Sequence, residues 1–170
     1  MLFLGLVSAS RAQTPASLEQ LRRGMEVYAA TSETVKPGPL YDGDLAWGYE
    51  LAGRTDQALA TLILALEWAE KRGAELVITR MHLLNGRLLE SKCKLAEAEN
   101  AFRTSIETAR RQSAKSLELR ATTNLARLLA KQGRRDEARS MLADIYNWFT
   151  EGFDTADLKE AKALLEELSN

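Results

Sequence analysis

The chain of 170 residues is 45% hydrophobic and 28% charged, and its 23 Lys and Arg against 24 Asp and Glu leave a formal net charge of −1. That balance supplies no global field for nucleic acid or an anionic membrane. A single cysteine, Cys93, excludes an intrachain disulfide, and a single histidine, His82, leaves no partner for a His/Cys metal cluster. Abundant Ala, Leu, Glu and Arg, with only three prolines, make this the composition of an all-α protein.

In chain order, Met1 to Ala12 is an apolar run leading into small residues. It lacks the positive flank and the long apolar core of a signal peptide, so it reads as the remainder of an amphipathic helix, with a weak signal peptide as the alternative. No stretch approaches the roughly 18 apolar residues of a membrane span, and a cytoplasmic location is the expectation. Gly5 and Ser17 stand twelve apart, as Gly86 and Ala98 do. Residues 1–34 therefore read as a partial repeat cut from a longer array. Pro37, Gly38 and Pro39 break local helix, which makes 35–43 a linker or an irregular helix start.

From there a 40-residue period organises the chain. Ala58, Ala98 and Ala138 each follow a polar turn, near Gly53, Cys93 and Gly133. Before the turns come the small residues Ala46, Gly86 and Ala126. After them come Leu62, Phe102 and Leu142, then Leu66, Ile106 and Tyr146, then Ala69, Ala109 and Phe149. Each unit reads as a hairpin of two amphipathic helices, in which small residues at the crossing permit close approach. One hairpin cannot bury its apolar surface, so the units stack into a right-handed α-solenoid. The expected boundaries are 44–73, 74–113 and 114–152 for three repeats. A capping helix over 153–170 begins after Glu151-Gly152, with Asp154 or Thr155 at its start. It presents Leu158, Ala161, Leu164, Leu165 and Leu168 inward and Asp157, Lys159, Glu160, Lys162, Glu166 and Glu167 to solvent.

The run Lys131-Gln132-Gly133-Arg134-Arg135-Asp136-Glu137-Ala138, with Ala126 twelve residues before Ala138 and Leu142 four after it, resembles the tetratricopeptide repeat. Forty residues exceed that family's usual period of about 34, and the longer helices resemble the extended repeats of signalling ATPases and kinesin light chains. The stretch from Ala114 to Leu128 and the run from Tyr146 to Leu165 are similar to the C-terminal tails of bacterial adenylate cyclase and ATPase (STAND-type) transcriptional regulators. Leu21 to Thr31 resembles an earlier repeat of such tails. The resemblance implies a non-enzymatic interaction or effector-sensing module that binds a protein or peptide, or the upstream domains of its own regulator, with no nucleic-acid or membrane contact. The alternative it implies is a fragment of a cyclase or regulatory ATPase whose catalytic domains lie outside this chain.

The residues that carry chemistry elsewhere find no constellation here. Gly48 to Thr55 nearly matches a phosphate-binding loop, but Arg54 replaces the lysine, and the segment closes a helix rather than opening one. His82 has no nucleophile or carboxylate beside it in the repeat register. Cys93, between Lys92 and Lys94, reads as an incidental thiol at a turn. No catalytic residue, metal site or cofactor is expected. Trp68, Trp148 and Phe149 read as packing residues, whereas Trp47, beside the crossing residue Ala46, faces the candidate groove. The candidate binding residues are Arg80 and Arg87, seven apart on one helix face, their counterparts Arg120 and Arg127 forty residues later, Asn124, and Trp47. Paired guanidinium donors there suit an acidic partner. The competing reading is that Glu118, Glu75 and Glu90 neutralise them as surface pairs.

Overall fold

The computed structural model describes residues 20, 23 and 39–170. The expected partial repeat at 1–34 and the segment 35–38 lie outside the described residues, apart from positions 20 and 23. Among the described residues stand seven helices and no strand: α1 (Pro39–Leu51), α2 (Thr55–Lys71), α3 (Glu75–Ser91), α4 (Leu95–Arg111), α5 (Lys115–Lys131), α6 (Arg135–Tyr146) and α7 (Ala156–Ser169). The all-α class follows the composition. Residues 39–43, expected to be linker or irregular start, belong to α1, because a proline is tolerated in the first turn, where its missing N–H has no helical acceptor.

Backbone geometry sets the rhythm. The turns after α1 to α5 place Gly53, Gly73, Cys93, Ser113 and Gly133 at φ of 69°, 64°, 59°, 54° and 82°. These five positions fall 20 residues apart. Each turn closes with the same two bonds, as where Gly53 N–H donates to Glu50 O at 2.9 Å and Arg54 N–H to Tyr49 O at 2.9 Å. Cys93 and Lys94 repeat this on Glu90 O and Leu89 O, and Gly133 and Arg134 on Ala130 O and Leu129 O. This double closure satisfies the last helical carbonyls with the chain's own amides. The residues entering α2, α4, α5 and α6 (Arg54, Lys94, Ala114 and Arg134) provide no side-chain cap.

The chain divides into two compact units at Met81/His82. In the first, α1 and α2 pack as a hairpin on Ala46, Ala58, Leu62, Ala65 and Ala69, all fully buried. Gly43 of α1 leaves room for Met81, whose Cε would lie 3.0 Å from an added Cβ. In the second unit α5 is the centre, packed by α4, α6 and α7. Its Leu119, Leu125, Ala126, Leu128 and Leu129 are 0–1% exposed, opposite Phe102, Ala138 and Leu142 at 0%. The crossing residues Ala46, Gly86 and Ala126 and their counterparts Ala58, Ala98 and Ala138 are all buried.

The end of the array departs from the expected pattern. Helix α6 stops at Tyr146 instead of running to Glu151-Gly152, and the left-handed residue falls at Gly152 (φ 77°), one place before the 20-residue rhythm would put it. Phe149, expected in register with Ala69 and Ala109, is off the helix, and Trp148, expected to pack, is 58% exposed. Trp68 is 37% exposed. Thr155 stands at the start of α7, but its hydroxyl donates back to Gly152 O at 2.8 Å rather than capping a helical amide. Leu158, Ala161, Leu164 and Leu168 of α7 are buried and Leu165 half-buried, as the amphipathic pattern requires.

Candidate functional site

Helix α5 divides its residues between core and surface. Seven residues separate Arg120 from Arg127, about two turns, so both leave the buried stripe on one side. Neither guanidinium points into open solvent alone. Arg120 Nε donates to Asp157 Oδ2 at 2.7 Å, and Arg127 Nη2 to Glu160 Oε1 at 2.5 Å, both carboxylates coming from α7. Asn124, between them, spends its Nδ2 on Arg120 O at 2.8 Å. Lys131 at the end of the same helix reaches Glu90 of α3 at 2.7 Å.

The other candidates fall elsewhere. Arg87 is exposed on α3 and is itself engaged. Arg80, in the first unit, stands 3.8 Å from Asp44, whose carboxyl is pushed up by burial and only partly drawn back by that guanidinium. Trp47 is half-buried on α1, also in the first unit. The structure thus joins Arg120, Asn124 and Arg127 on one helix and pairs Arg80 within its own unit.

The acids that pair with Arg120 and Arg127 are Asp157 and Glu160 of α7 rather than Glu118 or Glu90. Glu118 is 3% exposed and takes Arg110 Nε at 2.7 Å and Lys115 Nζ at 2.8 Å. Burial is the largest single influence on it and opposes ionisation, but the two cationic donors together prevail and hold the carboxyl below its ordinary value. Glu90 serves Lys131. Asp157 and Glu160, assigned to solvent by the amphipathic pattern, serve the arginines. A single signal pointed there: offsets of 37 and 33 residues, near one repeat length, carry an acid on one helix to a base on an adjacent one.

Across α4 and α6 a closed square of charge forms. Arg103 contacts Glu99 and Glu137 at 2.8 Å each, and Arg134 contacts Glu99 and Glu137 at 2.8 Å each. Burial weighs most on Glu99, yet the hydrogen bonds from Arg103 and Arg134 outweigh it, so its carboxyl also sits low. Glu137 is lowered chiefly by Arg103. The square joins consecutive second helices of the array and involves none of the candidate residues.

The remaining motifs resolve locally. Gly48 to Thr55 forms the last turn of α1, the following bend and the first residue of α2, with the Arg54 guanidinium 5.2 Å from the Tyr49 ring centre. His82 is half-buried on α3, and Cys93 is exposed at its turn. Among the described residues no group of three or more His, Cys, Asp or Glu is placed to hold a metal ion, and no helix is long and apolar enough to cross a membrane.

Comparison with solved structures establishes the fold. A Podosopora anserina protein described as kinesin light chain nearly identical TPR-like repeats superposes with a TM-score of 0.73 at 16% identity, covering 98% of this chain and 82% of that one. A single-substitution variant of the same protein gives 0.70 at 16% identity, covering 99% and 91%. BtubC (BKLC) from P. vanneervenii gives 0.64 at 18% identity, covering 99% and 89%. No known family profile and no curated protein sequence matches the chain. The fold is that of a TPR-like repeat solenoid.

Proposed function

We propose that the chain is a non-catalytic protein-interaction module that takes a partner segment along the exposed side of α5. The observation that carries the reading is the division of labour on α5. Leu119, Leu125 and Leu128 fill the core, while Arg120 and Arg127 remain at the surface, on the spacing that Arg80 and Arg87 keep on α3. The TPR-like architecture supports it, since repeats of this kind generally serve protein–protein interaction.

The pairing of these arginines shapes what they can recognise. Exposed ion pairs contribute only about 0–1 kcal/mol, so an incoming carboxylate displaces Asp157 or Glu160 at small net cost and small net gain. Charge then sets register and selectivity rather than bulk affinity. The partner is an acidic protein or peptide segment, or the upstream domains of the same polypeptide. The setting is a cytoplasmic regulatory protein of the kind whose tails the sequence resembles.

A titration of a Glu-rich peptide at low salt tests the reading. Wild type binds with affinity that falls as salt rises, and replacing Arg87 and Arg127 together by Gln weakens it while the far-ultraviolet spectrum stays helical. Binding that survives the double replacement, or no binding across a panel of acidic peptides, overturns it.

A further inference from the structure

We propose that the connection between α6 and α7 is a second docking surface, built for a basic segment of a partner protein that carries an apolar side chain beside its cation. It goes beyond the arginine face on α5, whose partner is acidic, and stands on different residues.

The first observation is where the repeat breaks. Helices α2 to α5 run 17 residues each, but α6 runs 12. The residues that would have formed its last turns, together with the bend, make a connection over 147–155. Forty residues before Trp148, Thr108 is buried on α4, whereas Trp148 is 58% exposed, and Phe153 in the same connection is 46% exposed. Two large rings in one short connection are a costly thing to leave in water, since each buries 150–250 Å² when covered. Exposed aromatic anchors of this kind mark interaction sites.

The second observation is that the rings are held. Phe149 meets Trp148 edge-on at 5.1 Å between ring centres, and Tyr146 meets Phe153 at 5.8 Å. A partner therefore finds the rings already ordered, which lowers the entropic cost of binding.

Charge identifies the occupant. Lys115 Nζ lies 5.6 Å from the Trp148 ring centre, so this ring already accepts a cation. Lys115 shares the Glu118 carboxylate with Arg110. The exposed carboxylates of Glu151 and Asp154 flank Phe153, and that of Asp144 lies one turn before Trp148. Two exposed rings in a connection that also carries the exposed acids Glu151 and Asp154 complement an Arg or Lys next to Leu or Phe. A second copy of this chain would set acid against acid at the same connection, as would an anionic lipid surface, and like-charge contacts oppose both.

The test uses the full chain and a ten-residue peptide of alternating Arg and Leu, with an alternating Glu and Leu peptide as control, in calorimetric titrations at low salt. The Arg/Leu peptide binds and the Glu/Leu peptide does not bind at this surface. Trp148→Ala, and separately Glu151→Gln with Asp154→Asn, each weaken the Arg/Leu peptide at least about tenfold. The Arg87 and Arg127 double replacement leaves it unchanged, which separates this proposal from the arginine face. Trp148→Phe, conservative in packing, retains most of the affinity. The proposal is overturned by absent binding, by binding that ignores Trp148→Ala, by a Trp148-dependent dimer in sedimentation, or by Trp148-dependent capture on phosphatidylserine vesicles.

Discussion

Gly86 of α3 lies against the ring of Phe102 of α4 so closely that a Cβ on the glycine would stand 2.5 Å from Cδ1 and 2.8 Å from Cζ. Phe102 is fully buried, and its rigid ring cannot fold aside as a flexible chain end would. Forcing a methyl group into such a contact costs about 1–3 kcal/mol, while replacing glycine within a helix returns about 1 kcal/mol. Gly86→Ala therefore lowers the denaturant midpoint, and Gly86→Leu lowers it further. Unchanged or raised midpoints in both variants would refute the close approach.

Cys93 and Ser113 occupy left-handed turn positions that glycine fills at Gly53, Gly73 and Gly133. A non-glycine residue there carries about 1–2 kcal/mol of strain, against about 0.5–1 kcal/mol of extra chain entropy that glycine loses on folding. Cys93→Gly and Ser113→Gly each stabilise by roughly 0.5–1 kcal/mol. Gly133→Ala moves the other way. Urea midpoints measured side by side decide the matter.

Glu118 gives stability a definite pH dependence. Its folded pKa lies below the ordinary 4.5, so its contribution is full above about that value and is lost as pH falls through the lower, folded value. Glu118→Gln weakens the hydrogen bonds to Arg110 and Lys115 and costs about 1–2 kcal/mol at neutral pH. The wild-type and variant stability curves converge on acidification. A difference that stays constant down to strongly acidic pH would show that the carboxylate is not held by these cations.

Ending the chain before Asp154 removes Leu158, Ala161, Leu164 and Leu168, all buried, together with Asp157 and Glu160. The apolar side that α7 covers on α5 and α6 then meets water, and an uncapped repeat edge associates. Light scattering on the shortened chain shows growing mass at a lower melting temperature. A monomer that melts with the full chain would mean that α7 contributes nothing.

The helical class and the places of the hairpin turns were legible because small residues recur at helix crossings, as Ala58, Ala98 and Ala138 do. The 20-residue beat beneath them was hidden, since Cys93 and Ser113 stand where a search for glycine looks. The crossing pattern identifies Gly86 as a close-approach position but not the residue it meets. Its tightest neighbour is Phe102, because ring reach rather than sequence spacing decides contact. The stop at Tyr146 is not encoded locally, because apolar residues continue at helical spacing through Phe149 after the backbone has turned away. In the candidate site, the seven-residue spacing of Arg120 and Arg127 is enough to put them on one side of their helix. Asp157 and Glu160 are not marked in this way, because the packing of α7 against α5 selects them, and no local pattern encodes that choice.

The ion pairs around α5 reach 37, 33 and 41 residues along the chain, from Arg120 to Asp157, Arg127 to Glu160 and Lys131 to Glu90. Closing such loops costs little more entropy than closing a single hairpin. Most helix packing, however, joins consecutive helices, and contacts that short in sequence imply rapid folding, on the microsecond-to-millisecond scale typical of helical bundles. With neighbours on three sides, the amides of α5 open only when the surrounding hairpins open, so they exchange with deuterium last. Those at the end of α7 are the first to be labelled.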